Sequence, residues 1–488
     1  MDMKTLGGGA VAVLSIVLLA ACVDDEIVYR DRPLFEEPPS GAASFLGYSD
    51  EGKKLTVCGN CHAEVQKDWE KTPHASAWAA LDEATIKDTC VGCHSVSSLG
   101  NFVGDSIAGY VGTKDSRYAD VQCESCHGPG LPHVQNTGGI QPLAPLNVKL
   151  DMSTGCGECH RGAFAPFVEE WASSPHGAVP NQASPGGRAE CQECHTGENA
   201  LEAWGANANY AERDTVLNVA GKHLPITCGV CHDPHSAKGA AQLRFPVDAP
   251  SEETNLCMKC HHKRGTPDPT TFRGPHSPEG PTLLGYGGWW PPNMDFPGDT
   301  IIATHGTARN PKLCAGCHVN SYDITLGGKV IGKTTGHLFN ATPCVDANGA
   351  PTKDQNCALP QRSFRSCTSC HGTENTARAL MVAAETDIER IAAQLAATLS
   401  RVQPNWRTCY NAGNCPAGSP FNYRDGKYTT AEGAVFNYEL ALYPGSVVHN
   451  PVLVKVLLLE SIDQVLQDYN LGTASFSTRS YLQSLSKP

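Results

Sequence analysis

The pentapeptide Cys-x-x-Cys-His occurs nine times in this 488-residue chain, and its residue types and spacing suggest one chemistry. Two thiols three positions apart can form thioether bonds to the two vinyl groups of one haem, and the adjacent histidine then lies beneath the iron as proximal ligand. Zinc or disulfide bonds are the alternative, but a zinc site requires a second ligand pair at matching spacing, and no motif is paired with another in this way. The sequence therefore predicts nine covalently attached haem c groups. Their attachment cysteines and proximal histidines are Cys58, Cys61 and His62; Cys90, Cys93 and His94; Cys123, Cys126 and His127; Cys156, Cys159 and His160; Cys191, Cys194 and His195; Cys228, Cys231 and His232; Cys257, Cys260 and His261; Cys314, Cys317 and His318; and Cys367, Cys370 and His371.

Ten histidines outside the motifs are candidates for the distal side of the irons. Five of them directly follow proline, whose fixed torsion helps to hold an imidazole in place on a loop. Two of these belong to a longer pattern, Trp-x-x-x-Pro-His, at Trp69 to His74 and Trp171 to His176. Ten candidates for nine irons mean that at least one is not a ligand. The candidates are His74, His133, His176, His223, His235, His262, His276, His305, His337 and His449.

Two classes of function fit such a set of haems. In an electron carrier every iron has two imidazole ligands, whereas an enzyme requires one haem with an open distal position. Every motif ends in histidine, and no Cys-x-x-Cys-Lys occurs. The ten other histidines are enough to provide a distal ligand for every iron. The sequence therefore favours electron transfer through bis-histidine haems of low potential. No catalytic residue is assigned. The alternative is an oxidoreductase acting on a small nitrogen compound at one open haem. Three methionines are fallback distal ligands that are more simply explained as packing residues: Met152, Met294 and Met381.

The first 21 residues resemble a bacterial lipoprotein signal. Lys4 precedes an apolar stretch from Val11 to Leu18 that is too short to span a bilayer, and Leu-Ala-Ala then leads to Cys22, the predicted lipid-bearing residue. By the same resemblance Val23 favours outer-membrane sorting. An ordinary secretory signal with a coincidental cysteine is the alternative. Residues 22–45 are acidic and contain proline, which predicts a flexible tether between the lipid and the folded chain.

Four cysteines belong neither to a motif nor to the predicted lipid site. In an oxidising compartment they are expected to form two disulfide bonds, and short sequence separation favours Cys344 with Cys357 and Cys409 with Cys415. The two other connectivities remain open on the sequence alone.

Composition predicts the fold class. With 48 Gly, 34 Pro and 7% aromatic residues, the chain is poorly suited to a conventional core, so we expect a mainly irregular multihaem cytochrome fold with short α-helices around the haem array and little β-structure. The nine-haem domain covers residues 46–375. A helical segment, 376–488, follows: apolar residues repeat at three and four positions up to Val402, and a second long helix is predicted from Pro451 to about Tyr469. The formal charge of −13 argues against a nucleic-acid partner.

Two sequence features resemble known cytochrome families. The Trp-x-x-x-Pro-His elements and the stretch from Cys123 to His133 are similar to the tetrahaem cytochrome of ammonia oxidisers and its multihaem relatives. The stretch from Phe436 to Pro451 is similar to the ends of outer-membrane cytochromes of metal-reducing bacteria. The resemblance implies bis-histidine haems in close pairs and electron transfer at the outer membrane or outside the cell. The expected partners are other redox proteins or extracellular acceptors, and also a porin-like barrel. An alternative is that the chain is a subunit of a cytochrome filament. The sequence does not decide between the periplasmic and the outer face of the membrane.

Overall fold

Short helical turns joined by loops make up most of the part of the chain that the structure describes. The computed structural model describes residues 35–81, 88–142, 155–178, 188–206, 223–268, 273–292, 294 and 300–473. The described residues from Pro38 onward belong to one compact unit. The predicted lipoprotein signal and Cys22 lie outside the described residues.

Among the described α-helices, those before residue 374 are short, whereas three of those after it are longer. The α-helices, numbered here in chain order, are α1 Ala63–Trp69, α2 Asp88–Val91, α3 Tyr110–Thr113, α4 Cys123–His127, α5 Leu131–Gln135, α6 Phe167–Ala172, α7 Ala189–His195, α8 Gly197–Ala203, α9 Cys228–Cys231, α10 Glu279–Leu283, α11 Cys314–His318, α12 Thr368–His371, α13 Glu374–Val402, α14 Trp406–Ala412, α15 Thr430–Leu442, α16 Ser446–His449 and α17 Pro451–Asp468. Short 3₁₀-helices lie at Ser40–Ala42, Glu51–Lys53, Cys58–Asn60, Pro73–Ser76, Trp78–Ala80, Ser116–Tyr118, Gly155–Glu158, Pro175–Gly177, Ala240–Gln242, Thr304–Gly306, Leu359–Gln361 and Arg365–Cys367.

Within the described ranges, β-structure is confined to two small antiparallel hairpins. Strand β1, Tyr48–Asp50, pairs with β2, Leu55–Thr56. Strand β3, Asp323–Leu326, pairs with β4, Lys329–Lys333, across a two-glycine turn in which both glycines have positive φ angles of 57° and 78°. Such angles are what a two-residue hairpin turn requires. The expected fold class, mainly helical and irregular with little β-structure, is confirmed.

The three long helices near the C-terminus build the largest apolar core. Helices α13, α15 and α17 pack together, and Leu395, Leu399, Val435 and Leu458 in them are fully buried. Burying one such side chain stabilises the fold by roughly 1.5–3 kcal/mol. The predicted repeat up to Val402 and the predicted helix at Pro451 both correspond to observed helices. Among the described residues, no helix combines the length and the apolar character that crossing a membrane requires.

Polar caps fix where these three helices begin. The Thr373 hydroxyl accepts from the Thr376 N–H at the start of α13, and Thr429 and Glu432 cap α15 reciprocally. Asn450 caps α17 by accepting from the Leu453 N–H at 2.9 Å, and its amide group also donates to two backbone carbonyls from earlier in the chain. Asn450 therefore ties the C-terminal helix to the region that carries the motifs.

The end of the predicted tether differs from expectation. Residues 22–34 lie outside the described part, but Ala42 and Phe45 are fully buried against Val96, Ala108 and Tyr118, and the Tyr118 hydroxyl donates to the Phe45 carbonyl at 3.0 Å. The prediction of a flexible tether rested on the acidic residues and prolines of this stretch and did not take its apolar residues into account. The folded part thus begins earlier than residue 46.

Two disulfide bonds lie in the C-terminal third of the chain. The structure joins Cys344 to Cys357 and Cys409 to Cys415, the pairs that short sequence separation favoured. All eighteen motif cysteines remain outside disulfide bonds. Their thiols are therefore available for attachment to haem.

Candidate haem-binding sites

Each Cys-x-x-Cys-His motif is one helical turn, or part of one. In motifs 1, 4, 6 and 7 the histidine N–H donates to the carbonyl of the first cysteine at 2.9–3.0 Å. Residues spaced by three and four positions lie on one face of such a turn. Both thiols and the imidazole of a motif therefore lie on the same side, as attachment to one porphyrin requires.

A second imidazole lies at a constant distance from seven of the nine proximal histidines. The separation of the two ring centroids is 6.0–6.3 Å in every case. The pairs, with the proximal histidine first, are His127 with His235, His160 with His74, His195 with His276, His232 with His337, His261 with His176, His318 with His449, and His371 with His305.

This separation fits an iron bound between the two rings. A metal-bound imidazole nitrogen lies about 2 Å from the metal. Two such nitrogens on opposite sides stand about 4 Å apart, and each ring centroid lies roughly 1 Å farther out, which gives about 6 Å between centroids. The seven pairs therefore fit bis-histidine ligation of haem, and the partners come from distant parts of the sequence.

Burial keeps four of the distal candidates neutral. Burial first, and then the neighbouring proximal histidine, lowers the pKa of His74, His176, His337 and His449 to about 4. Burial disfavours the charged imidazolium, and a metal requires the unprotonated nitrogen. These side chains are therefore held in the ligand-competent form at neutral pH.

Backbone carbonyls orient several of the rings. The Nδ1–H of His232 donates to the Ala241 carbonyl at 2.8 Å, that of His318 to Phe339 at 3.0 Å, and that of His305 to Val448 at 2.7 Å. A hydrogen bond at Nδ1 fixes the tautomer in which Nε2 carries the free lone pair. In these residues Nε2 is the atom available to iron.

Two carboxylates lie near ligand candidates, and the sequence analysis did not single them out. Buried Glu170 accepts the backbone N–H of His337 at 2.8 Å and both the N–H and the hydroxyl of Thr335. Glu279 Oε2 lies 3.5 Å from Nδ1 of His261, and this contact raises the pKa of His261. Neither glutamate lies near its partner histidine in the sequence, so no local pattern could have identified them.

Two predicted proximal histidines and three distal candidates do not face a second imidazole in the described structure. Among the described histidines, neither His62 nor His94 has a second imidazole at the separation seen in the seven pairs, and the same holds for His133, His223 and His262. The Nδ1–H groups of His133 and His262 donate to backbone carbonyls at 2.6 Å, which leaves Nε2 for a ligand. His223 instead lies between two side chains: its Nδ1 is 2.6 Å from Glu198, and its Nε2 is 3.4 Å from the amide of Gln192.

Two of the three methionines considered as fallback ligands, Met294 and Met381, lie in the described part of the chain. Met294 packs against the apolar cluster of Ile301 and Leu453, and Met381 is half-buried on α13. Met152 lies outside the described residues. The packing interpretation fits Met294 directly.

Contacts between cysteine thiols place the motifs next to one another. Within the described chain, five pairs of thiols from different motifs lie close enough to shift each other's pKa: Cys58 with Cys123, Cys93 with Cys159, Cys156 with Cys228, Cys194 with Cys260, and Cys257 with Cys314. Electrostatic contacts join further motifs: Cys126 with Cys156, Cys231 with Cys257, and Cys317 with Cys367. The motifs thus follow the spatial series 1, 3, 4, 6, 7, 8, 9, with motif 2 beside motif 4 and motif 5 beside motif 7.

Two family models match parts of the chain. The model described as cytochrome c554 and c-prime matches residues 57–128, and the model of a doubled CXXCH motif matches residues 219–266. In solved structures, an outer cell wall cytochrome, OcwA, is similar with 20% identity and a TM-score of 0.49, covering 77% of this chain and 75% of that one.

Curated relatives are similar over longer stretches. The C-type polyheme cytochrome OmcB of Geobacter sulfurreducens is 27% identical over 55% of this chain, and the match spans only 37% of that protein. The multiheme cytochrome MtrA of Shewanella baltica is 24% identical over 58% of this chain and 76% of its own length. Cytochrome c-554 of Nitrosomonas europaea is 32% identical over 24% of this chain and 63% of its own length. Since one family model describes the doubled attachment motif, the relatives are named as cytochromes, and the structure brings the thiols and imidazoles of the motifs together, we conclude that the chain is a multihaem c-type cytochrome.

Proposed function

We propose that the chain carries nine covalently attached haem c groups, most or all with two histidine ligands, and that it transfers electrons along them at the cell envelope. The observation that carries this proposal is the constant 6.0–6.3 Å separation in seven imidazole pairs. Bound haem c supplies an iron that alternates between the ferrous and ferric states, taking up and releasing one electron. The eighteen motif thiols would hold the groups, and the seven imidazole pairs would supply both histidine ligands of seven irons.

The protein's own residues determine how suitable such a chain is for electron transfer. Two imidazoles are good ligands in both oxidation states, so the ligand set need not change when an electron arrives. Ligation by two imidazoles, and not by an imidazole and a methionine, favours low potentials. The thiol contacts between motifs support a route in the order 1, 3, 4, 6, 7, 8, 9, with motifs 2 and 5 as side branches at motifs 4 and 7.

The proposed site of action is the outer membrane, with the chain exported and held by a lipid on Cys22. The lipoprotein-like signal supports export and anchoring, and the resemblance to outer-membrane cytochromes supports the location. Other redox proteins or extracellular acceptors are the proposed partners, and a porin-like barrel is a further one. Replacing Cys22→Ser should abolish incorporation of labelled fatty acid and release the protein from the membrane fraction; unchanged membrane binding would contradict the anchor.

Haem content and ligation test the main proposal together. A haem assay combined with intact mass should give nine haems per chain. The dithionite-reduced spectrum of the seven haems with paired histidines should not change when carbon monoxide is added, because these irons have two ligands. A count below nine would contradict the attachment at one or more motifs.

One observation favours a second candidate, an oxidoreductase with an open haem. His62 and His94 lack a facing imidazole among the described histidines, so the haem of motif 1 or motif 2 would have a free distal side. If carbon monoxide binds, the paired variants Cys58→Ala/Cys61→Ala and Cys90→Ala/Cys93→Ala identify the site, since only the loss of the open haem removes the spectral change. Cys191→Ala/Cys194→Ala, which removes a haem with paired histidines, is the matched control.

A further inference from the structure

One hydrogen-bond arrangement links a tryptophan, a distal histidine and the entry to a motif. The indole N–H of Trp69, at the end of α1, donates to the Val121 carbonyl at 3.1 Å. The Val121 N–H in turn donates to the carbonyl of His74 at 3.1 Å. Val121 lies two residues before Cys123, so both polar groups of one residue at the start of motif 3 are held by the Trp-x-x-x-Pro-His element.

The same arrangement occurs again about one hundred residues later. The indole N–H of Trp171, in α6, donates to the Ile226 carbonyl at 2.7 Å, and the Ile226 N–H donates to the His176 carbonyl at 3.1 Å. Ile226 lies two residues before Cys228, at the start of motif 6. We call each arrangement, Trp69–His74–Val121 and Trp171–His176–Ile226, a tryptophan clamp.

The contacts around the two clamps also correspond. The thiol contact between motifs 1 and 3 recurs between motifs 4 and 6, and the contact between motifs 2 and 4 recurs between motifs 5 and 7. His74 faces the proximal histidine of motif 4 and His176 that of motif 7, at 6.1 and 6.2 Å. The chain from motif 1 to motif 7 therefore consists of two equivalent units that share motif 4.

We propose that Trp69 and Trp171 are equivalent positioning residues, each of which aims the distal histidine of its own clamp at an iron three motifs further along the chain. This inference rests on the proposed ligation of the motif 4 and motif 7 haems by His74 and His176. Each histidine follows proline at the start of a 3₁₀ turn, and the tryptophan is the side chain that fixes this turn against the second motif further along the chain, motif 3 or motif 6. Both indole rings are buried, with 5% and 3% exposure, so the N–H groups face protein and not solvent.

The test compares Trp69→Phe with Trp171→Phe. Phenylalanine keeps an aromatic ring in the buried site but lacks the N–H group, so the carbonyl of Val121 or Ile226 loses its donor. Each variant should change the low-spin ferric EPR signal of about one haem per molecule and should allow carbon monoxide to bind at about one reduced haem, because the distal imidazole is no longer held firmly. The double variant should affect about two haems.

Two further variants identify the affected haems. His74→Met and His176→Met alter the ligand itself, so each marks the EPR signal and the potential of the haem at motif 4 or motif 7. The signal altered by Trp69→Phe should be the one altered by His74→Met, and likewise for Trp171 and His176. Trp406→Phe is the control, since this equally buried tryptophan stacks on Phe421 in the C-terminal core.

The outcomes separate the inference from the function on which it rests. If the histidine variants alter one haem each while both tryptophan variants match the wild type, the tryptophans do not position the ligands and the inference fails. It also fails if Trp406→Phe produces the same spectral change, which would indicate general loosening. If the histidine variants leave all signals unchanged, the ligand assignment itself is wrong. Should Trp69→Phe not accumulate, the fully separate Trp171→Phe variant answers the same question.

Discussion

The proximal histidine of motif 7 has a chemical environment different from that of the proximal histidines of motifs 6 and 8. His261 lies beside the carboxylate of Glu279, at 3.5 Å, and its pKa is raised mainly by that contact. His232 and His318 have neutral backbone carbonyls as Nδ1 partners instead. A carboxylate near the second nitrogen makes an imidazole a stronger electron donor to its metal. The residues around the ligands, and not only the ligands, therefore distinguish one haem from the next.

Replacing Glu279→Gln should raise the reduction potential of one haem. The loss of the negative charge weakens donation from His261 and so favours the ferrous state. The expected rise is roughly 20–60 mV, since 59 mV corresponds to about 1.4 kcal/mol for one electron. Potentiometric titration followed by EPR would show one component shifting. An unchanged titration, or the same shift in the exposed control Glu202→Gln, would contradict this role.

At the scale of secondary-structure elements, patterns of neighbouring residues predicted the helices, whereas contacts between residues distant in the sequence could not be predicted. The periodic apolar residues of α13 and the Asn-Pro start of α17 are contained in the sequence, and both helices form there. Proline before histidine also indicated distal candidates such as His74 and His176. Which motif each histidine faces could not be predicted, because His74 meets His160, and His176 meets His261, only through the folding of the intervening loops. The burial of Phe45 was missed for the same reason, since its partners lie more than fifty residues later.

The C-terminal helical core should be a separate source of stability. Leu458 in α17 is fully buried among residues of α13 and α15, so Leu458→Ala should lower the free energy of unfolding by about 2–5 kcal/mol. The change lies away from the attachment cysteines, so the haem spectrum of the folded variant should match the wild type. Denaturant titration followed by circular dichroism measures the loss.

The matched control for this substitution is Leu442→Ala. Leu442 lies at the end of α15 with 49% of its surface exposed, so its truncation should change the free energy of unfolding by less than about 0.5 kcal/mol. Equal losses in the two variants would show that the three helices do not form the core described above.

On the scale of the whole molecule, the distal histidines connect parts of the chain that are far apart in sequence. Residues after motif 1 face motif 4, residues after motif 6 face motif 3, and His449, beyond the last motif, faces motif 8. Each bound haem would therefore join at least two segments. Since the described α-helices before α13 are at most seven residues long, these cross-connections would supply much of the order in the motif-bearing region.

Acid should disrupt this network at a pH set by burial. His74, His176, His337 and His449 have folded pKa values of about 4, below the ordinary value of 6.5. Because the folded protein favours their neutral form, the stability they contribute is fully present above pH 6.5 and is lost as the pH falls towards 4. The haems of motifs 4, 6, 7 and 8 should therefore stay low-spin at pH 5, because burial opposes protonation of any of these histidines that leaves its iron. Conversion of those haems above pH 6, followed by EPR, would contradict the assignment.

The shared position of motif 4 also has a consequence for the history of the chain. A unit whose last motif is also the first motif of the next unit can be duplicated in tandem without a new kind of junction. The recombination point then lies within the helical turn of the shared motif. Each such duplication would add three haems to the array. It would also copy the tryptophan clamp together with its distal histidine, which faces the motif three positions further along the chain. Gains of one or two haems would instead leave histidines aimed at the wrong motif. Related chains should therefore differ in this region by steps of three motifs, a regularity that a survey of their motif spacing can reveal.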